Sequence, residues 1–561
     1  MPASERHPSR SAPSRRALIT GSFFIAVIVV LVCLFPKPEN DLFFELRTGS
    51  DILDHGTLPH VDTYSWVNRG TRWDVPEWLS FVLYTLSYRA GGFFGTWLLM
   101  VSLTITVIVM VWFWLAPRVG PVLGFILTNL TLLGLSDCIQ ERPYAFTYVL
   151  LPLCLMITLR ARDAIPASSA HASGTTGEDD GAATGSQRPS RRLLALLPVI
   201  VAIWANLHQG LVVFIALLCL FGLGDLGTAL RLRARDRQKS RRYARLAGLM
   251  LLTAAACAVT AMASPYGWRL YRNVFITLRD PSLMSNVTEW RPITVLPVIQ
   301  LQPFIVISAV VLGALALSRR RSPGDMLVVG ALFVEALLHA RNTALFCLAG
   351  TVVAAPHIEA VLEQSHDRLF FASSARVRNA IAGMFALLYA AGIAMVSVAN
   401  LGSAVGPKGY TPEGIGEAAA RVPHYPAEAC AFIEAEHFPP GLRIFNNFEI
   451  GGYLMMYLPE QPVFSDGRLD VYVGKTFNDT LILTRLPGTP EWADLVRRYD
   501  FDCVITTSGR EAAAFRKSSD WQLVYEDPRR PHTLRCRVLL RRRPQFAAVI
   551  ARCLHDRPLA N

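Results

Sequence analysis

Between Asp41 and Trp78 the chain reads DLFFELRTGSDILDHGTLPHVDTYSWVNRGTRWDVPEW. Asp41, Glu45, Asp51, Asp54, His55, His60, Asp62, Asp74 and Glu77 stand there among aromatic side chains. Such a stretch cannot enter a bilayer, where a central charge costs about 2.5 to 3.5 kcal/mol on insertion scales. Yet residues 17–35, just before it, are apolar over about the length a helix needs to cross the hydrocarbon core. Phe35-Pro36-Lys37 offers no small-residue cleavage site after that core, so it reads as an uncleaved anchor. The quoted stretch is then a loop at a membrane surface, and its carboxylates are placed to react there.

Composition carries the same reading outward. Of 561 residues, 52% are hydrophobic and 17% charged, against about 25% charged in an ordinary soluble chain. The net charge of +12 does not mark a nucleic-acid binder, because the cations sit in short clusters between apolar runs rather than on a basic face with interleaved aromatics. Further apolar runs at 95–116, 119–136, 143–160, 193–208, 210–230, 246–263, 303–318, 325–340, 342–361 and 379–399 raise the expected number of spans to about eleven. Residues 78–94, interrupted by Ser80, Ser87, Tyr88 and Arg89, read as an interfacial helix at the end of an outer loop running over 36–94.

Lysine and arginine gather in cytoplasmic loops of membrane proteins, which sets the orientation. With residues 1–16 as a disordered cytoplasmic tail, the inside loops hold Arg118, Arg160 and Arg162, the run RLRARDRQKSRRYAR at 231–245, Arg319 to Arg321 and Arg368 to Arg378. The Ala/Ser/Gly/Thr-rich segment 163–190 is a cytoplasmic linker without evident chemistry. After a Gly/Pro-punctuated linker at 400–425, composition becomes that of a soluble domain over 426–545, with a tail at 546–561. Helices are expected at 426–437, 491–499 and 509–518, and strands at 442–446, 501–506, 521–526 and 533–541. That alternation predicts an α/β domain with a mixed sheet, outside the cytoplasm. Ten cysteines show no metal-type pairing; those of the C-terminal domain read first as buried thiols, with a disulfide such as Cys503 to Cys536 the alternative. The fold class is mostly α, a polytopic bundle with a soluble α/β domain at its C-terminal end.

With the orientation set, uncommon polar residues fall at outer span ends. Asp137, Glu141 and Arg142 lie in DCIQERPY, Asn206 and His208 in WANLHQG, Glu289 and Arg291 in the loop after Ser264, and His339 and Arg341 in LLHARNTALF. Any one of these is explained by turn chemistry or snorkelling. Four such turns opposite a carboxylate-rich loop point to a site. Acidic groups at a membrane surface suit general-base activation of an acceptor, and a carboxylate such as Asp41 can hold Mg or Mn. Arg142, Arg291 and Arg341 suit bidentate clamping of a phosphate. In VFSDGR, Asp466 and Gly467 read as turn chemistry, with positive φ at the glycine; alternatively Asp466, Arg468 and Asp470 overhang the outer cavity and bind an acceptor. NNFEIGGYL reads as a strand end, a Gly-Gly turn and a helix. No Walker loop, GxGxxG after a strand or HExxH is present, so cytosolic nucleotide chemistry has no support.

These segments resemble the GT-C superfamily of polytopic membrane glycosyltransferases. The resemblance rests on Asp41 in NDLFFELRTG, the loop ending in PEW at 76–78, WANLHQG (204–210), ASPYGWRLY (263–271), TEWRP (288–292), HARNTALF (339–346) and GGYLMMYLPEQPVFSDGR (451–468). It implies transfer of a sugar from a polyprenyl-phosphate donor to a glycan, lipid or protein acceptor at the outer face of the inner membrane. It implies for Asp41 the role of base or ligand to a divalent metal, with Asp62 and Glu77 as further acids. Glu45, Glu141, Arg142, Asn206, His208, Glu289, Arg291, His339, Arg341, Asp466 and Arg468 would bind substrate. The chain departs from the family where Asn40 and Leu42 flank Asp41, so the paired Asp-Glu of some branches is missing. A polymerase or ligase acting on pyrophosphate-linked glycans, and a non-enzymatic envelope assembly or transport protein, remain alternatives.

Overall fold

The structure, a computed structural model, describes residues 39–163, 193–320, 322–365, 425–472, 474–527 and 535–556. The expected spans 17–35 and 379–399, the N-terminal tail and almost all of both linkers lie outside these residues. Every other expected span is helical. Five helices are long and apolar enough to cross a membrane: Trp78–Val119, Tyr144–Asp163, Leu211–Leu232, Arg237–Ala261 and Asn342–Gln364. Pro121–Gly134, Leu193–Trp204 and Leu301–Leu317 are apolar but shorter, and the count of about eleven is not established. The chain is an integral membrane protein.

The opening stretch is not a simple loop. Asn40–His55 is a helix, with Asp41 in its first turn and Gly56 ending it in the left-handed conformation. Its Leu42, Phe43, Phe44 and Leu46 are buried, so an aromatic-rich run read as irregular instead recurs at helical spacing and packs inward. The next helix breaks at Gly91 and Gly92, where Gly92 has φ 58° and ψ −149°, a conformation open only to glycine. The segment before the break is therefore a helix of its own, as expected for 78–94, and the membrane helix begins after it.

A buried ionic cluster joins four helices at the bundle end away from Asp41. Arg162 donates to Asp225 at 2.8 Å and to Asp325 at 2.7 Å, and His357 Nε2 lies 2.9 Å from Asp325. Close approach of Gly224 to Gly324, where an added Cβ would lie 2.3 Å from backbone, lets Asp225 and Asp325 reach one guanidinium. Arg162, counted above as a loop cation, is thus buried and paired.

The C-terminal domain holds a four-stranded sheet in the order β1-β2-β4-β3, with β1 Ile444–Asn446, β2 Cys503–Thr506, β3 Trp521–Glu526 and β4 Arg537–Arg541. β1 and β2 are parallel, and β4 runs antiparallel to both β2 and β3, the mixed sheet expected from the alternation of elements. The supposed tail differs: Ala547–Asp556 is a helix that buries Val549 and Cys553. These lie four residues apart, on one helix face. Cys430, Cys503, Cys536 and Cys553 are buried.

Gly451 and Gly452 form no turn; both lie inside the helix Phe448–Tyr457. A Cβ on Gly451 would sit 2.0 Å from the Ser465 carbonyl oxygen, and one on Gly452 would sit 2.7 Å from that of Asn40. Gly452 lets this helix press against the first turn of Asn40–His55, and Gly451 lets it press against the chain at Ser465 and Asp466. Gly452→Ala should therefore cost about 1–3 kcal/mol, the usual penalty of overpacking, seen as a lowered unfolding midpoint in detergent; an unchanged midpoint would mean the two helices can part freely.

The stretch after His55 docks on the same domain. Val463 donates to the Tyr64 carbonyl at 3.0 Å, Trp66 donates to that of Val463 at 3.1 Å, and the Trp66 indole donates to that of Ile444 at 2.9 Å. Trp66 rests among Phe464, Tyr499 and Phe501. Loop and domain share one apolar core.

Candidate active site

Asp41 occupies the first turn of its helix, where the positive end of the helix dipole favours a carboxylate. Its side chain is about one fifth exposed, and Arg142 Nη2 lies 3.2 Å from its Oδ2. The same guanidinium nitrogen lies 3.4 Å from Glu39 Oε2. Arg142 is held in turn by its backbone, whose carbonyl accepts from the Tyr84 hydroxyl at 3.1 Å. Burial raises the Asp41 pKa to about 6; Arg142 opposes that shift, while Glu39, Glu289 and Asp466 reinforce it. Asp41 is thus mostly ionised at neutral pH and close enough to neutrality to accept a proton.

The VFSDGR turn closes on this carboxylate. A Cβ on Gly467 would sit 2.0 Å from Asp41 Oδ1. Gly467 is not among the glycines with positive φ, so the expectation about its backbone is wrong: glycine is needed here for space.

Glu77 precedes the helix Trp78–Val119, and His208 Nε2 lies 3.4 Å from its Oε1. His208 Nδ1 accepts from the Gly210 N–H at 2.9 Å and lies 2.7 Å from the Thr147 hydroxyl. An Nδ1 that accepts leaves the proton on Nε2, facing Glu77. Burial pushes the Glu77 pKa up to about 8, against the Gln209 N–H and Arg341 and with Asp470 and Asp41. At neutral pH the Asp41 carboxyl is mostly ionised and that of Glu77 mostly protonated. Burial likewise lifts Glu141 to about 7. Glu45, one helical turn from Asp41, is pushed well above the usual carboxylate range by burial and by Asp41 and Glu77; its Oε2 is buried without a hydrogen-bond partner.

A further part of the site joins the turns around Trp290 and Ala340. The Ala340 N–H donates to the Arg291 carbonyl at 2.8 Å and the Arg341 N–H to that of Glu289 at 3.0 Å. Arg341 lies 3.6 Å from Glu289 and 4.4 Å from the Trp290 ring centre. His339 Nδ1 meets the Trp290 carbonyl at 2.8 Å, which commits that ring to holding the turn. The Arg291 side chain is exposed.

Several expected site residues prove structural. Asp62 and Asp466 are 0% exposed and Arg468 is 2% exposed. Arg468 donates to Asp62 at 2.8 Å and to Asp466 at 2.6 Å, and the Tyr472 hydroxyl donates to Asp466 at 2.6 Å. Ser65 also donates to Asp62. Carboxylates so enclosed neither take a proton from an acceptor nor bind one, which corrects Asp62 as a reacting acid and Asp466 and Arg468 as substrate ligands. Asp466 does cap its turn, accepting from the Arg468 N–H at 2.9 Å. Asn206 spends its amide on the Trp78 indole and the Ala202 carbonyl, both at 2.9 Å, tying helices rather than substrate. Asp470 accepts from the Trp73 indole at 3.1 Å.

The residues present do not fit a resident divalent metal. Among the described residues no three His, Cys, Asp or Glu side chains converge on one point. The counter-charge beside Asp41 is the Arg142 guanidinium. No step below runs through a metal.

Sequence reasoning missed Glu39 and Thr147. Glu39 stands two residues before Asp41 and was readable as a second acid at the helix start. Thr147 has no signal, since its role depends on the packing of Trp204, whose indole donates to it at 3.0 Å.

No protein-family model and no curated protein sequence matches the chain. Solved structures do match by fold. The apo form of the Archaeoglobus fulgidus oligosaccharyltransferase aligns over 89% of this chain and 71% of its own at 11% identity and a TM-score of 0.54. The archaeal oligosaccharyltransferase AglB from Archaeoglobus fulgidus, in complex with an inhibitory peptide and a dolichol-phosphate, aligns over 87% and 69% at 11% identity and a TM-score of 0.52. The chain has the GT-C fold of polytopic membrane glycosyltransferases.

Proposed function

We propose that the protein is a membrane glycosyltransferase that moves a sugar from a polyprenyl-phosphate donor to an envelope acceptor on the extracytoplasmic face of the inner membrane. The observation that carries this reading is Asp41: a carboxylate whose pKa burial raises to about 6, 3.2 Å from Arg142 and within electrostatic reach of Glu77. The bias of arginine toward the opposite loops supports the orientation, and the dolichol-phosphate bound to AglB supports the donor class.

Asp41 takes the proton from the acceptor hydroxyl or amine as its lone pair attacks the anomeric carbon. The bond from that carbon to the phosphate oxygen breaks, and polyprenyl phosphate leaves with the electron pair. Arg341 and exposed Arg291 meet the growing phosphate charge. Arg142 keeps Asp41 oriented, and neutral Glu77, held by His208, offers a hydrogen bond to a sugar hydroxyl.

The pH profile tests these roles with the purified protein in vesicles and a labelled polyprenyl-phosphate sugar. Asp41 works when deprotonated, so between pH 7 and pH 5, through its pKa of about 6, transfer should fall about tenfold. Above pH 8 Glu77 ionises and adds a negative charge near the donor phosphate, so the rate should fall again. A flat profile from pH 5 to 9 would remove both assignments. With arginines as the counter-charges, EDTA should leave transfer unchanged; a loss restored by Mg or Mn would place a metal in the step.

A further inference from the structure

The outer loop that carries Glu289 begins with a helix, Arg269–Arg279, whose outward face the mechanism does not use. Leu270 is buried against the protein, whereas Trp268 is 63% and Phe275 58% exposed, with Ile276 exposed beside them. Arg272 and Arg279 are exposed on the same side. Positions 268, 272, 275, 276 and 279 share one helical face, so two arginines alternate there with two aromatics and an isoleucine. They line a shallow open groove. Among the described residues no carboxylate pairs with Arg272 or Arg279.

The chain fixes where this face lies. Arg237–Ala261 is long and apolar enough to cross the membrane, and only the turn 262–268 separates its end from the helix. Leu270, on the opposite face, is buried against the protein, and Arg269, 3.7 Å from Asp74, ties the start of the helix to the first loop. A helix laid beside the end of a membrane span, with aromatic and aliphatic side chains outward and arginines among them, has the composition of one lying in the lipid interface.

We infer that Arg269–Arg279 lies in the outer surface of the bilayer and binds anionic phospholipid headgroups through Arg272 and Arg279, with Trp268, Phe275 and Ile276 among the acyl chains. Long arginine stems run along the apolar groove while the guanidinium reaches the phosphate. Headgroup charge would thereby bear on the loop that presents Glu289 to Arg341, because the two are continuous through Asp280, which caps the short helix Pro281–Asn286.

The full chain, placed in nanodiscs of equal parts phosphatidylglycerol and phosphatidylcholine, tests this with a trace of either lipid bearing a photoreactive acyl chain. Peptides are mapped by mass spectrometry after illumination. The 268–279 peptide should be labelled by both probes, and about fivefold more by the phosphatidylglycerol probe, as expected for an arginine near an anionic surface. Arg272→Gln with Arg279→Gln should equalise the two probes. Phe275→Ser with Ile276→Ser should lower labelling by both. Equal labelling of the unsubstituted chain would overturn headgroup recognition. An unlabelled 268–279 peptide, with Leu223 and Leu252 in the membrane helices labelled, would show that something other than lipid covers the groove and overturn the inference altogether. The readout is independent of sugar transfer.

Discussion

Asp41→Asn is expected to lower sugar transfer about 10²- to 10⁴-fold, the range a positioned general base supplies. The amide keeps the shape of the carboxylate and can still face Arg142, whose second partner Glu39 stays in place. Folding and donor binding should therefore survive, and the loss should fall on kcat rather than KM. Asp41→Glu should fail nearly as badly. Gly467 backs directly onto Asp41 Oδ1 and Phe44 packs beside it, so a longer side chain has no room to keep its carboxyl in register. Steady-state kinetics on purified, monodisperse variants decide the matter. A rate for Asp41→Asn within a few-fold of the unsubstituted protein would mean that the base lies elsewhere.

Arg468→Ala is expected to cost about 3–5 kcal/mol of stability, as removal of one partner from a buried ionic network does. The guanidinium serves Asp62 and Asp466 at once, and lies 4.6 Å from the Trp73 ring centre and 5.1 Å from that of Tyr64. Its loss strands two carboxylates that water does not reach. Lysine should not restore the network, because one ammonium cannot reproduce the divergent bonds of a guanidinium. The damage should appear as a large fall in the denaturation midpoint and as new protease cleavage between Leu58 and Val75, where the loop docks on the C-terminal domain. Asp62→Asn together with Asp466→Asn removes the stranded charges and should be milder when combined with Arg468→Ala. If Arg468→Ala alone melts with the unsubstituted protein, the network is not what joins loop and domain.

The two effects separate chemistry from architecture within one motif-rich region, and that separation is where sequence and structure part. The helical segments among the described residues, the strands and the mixed sheet were readable because apolar periodicity depends on local neighbours. The helix Asn40–His55 was not read, because its acidic and aromatic residues suggested a polar loop and its apolar face meets partners four hundred residues away. The glycines of GGYL and DGR look like turn signals in one dimension. In three they are points of contact, Gly452 against Asn40 and Gly467 against Asp41. In sequence Asp41 led and Asp62 stood behind it as a supporting acid; only the position of Arg468 shows that Asp62 is sealed. The cluster of Arg162, Asp225, Asp325 and His357 was unreadable for the same reason, as its members come from four helices.

One measurement bears most directly on the proposal that Asp41 discharges a polyprenyl-linked donor. Native mass spectrometry of Asp41→Asn protein, gently extracted from cells that make the donor, should show a retained polyprenyl-phosphate sugar. The unsubstituted protein should retain the discharged polyprenyl phosphate or nothing. Phospholipid alone in both proteins, with the donor pool present in the same membranes, would contradict the account.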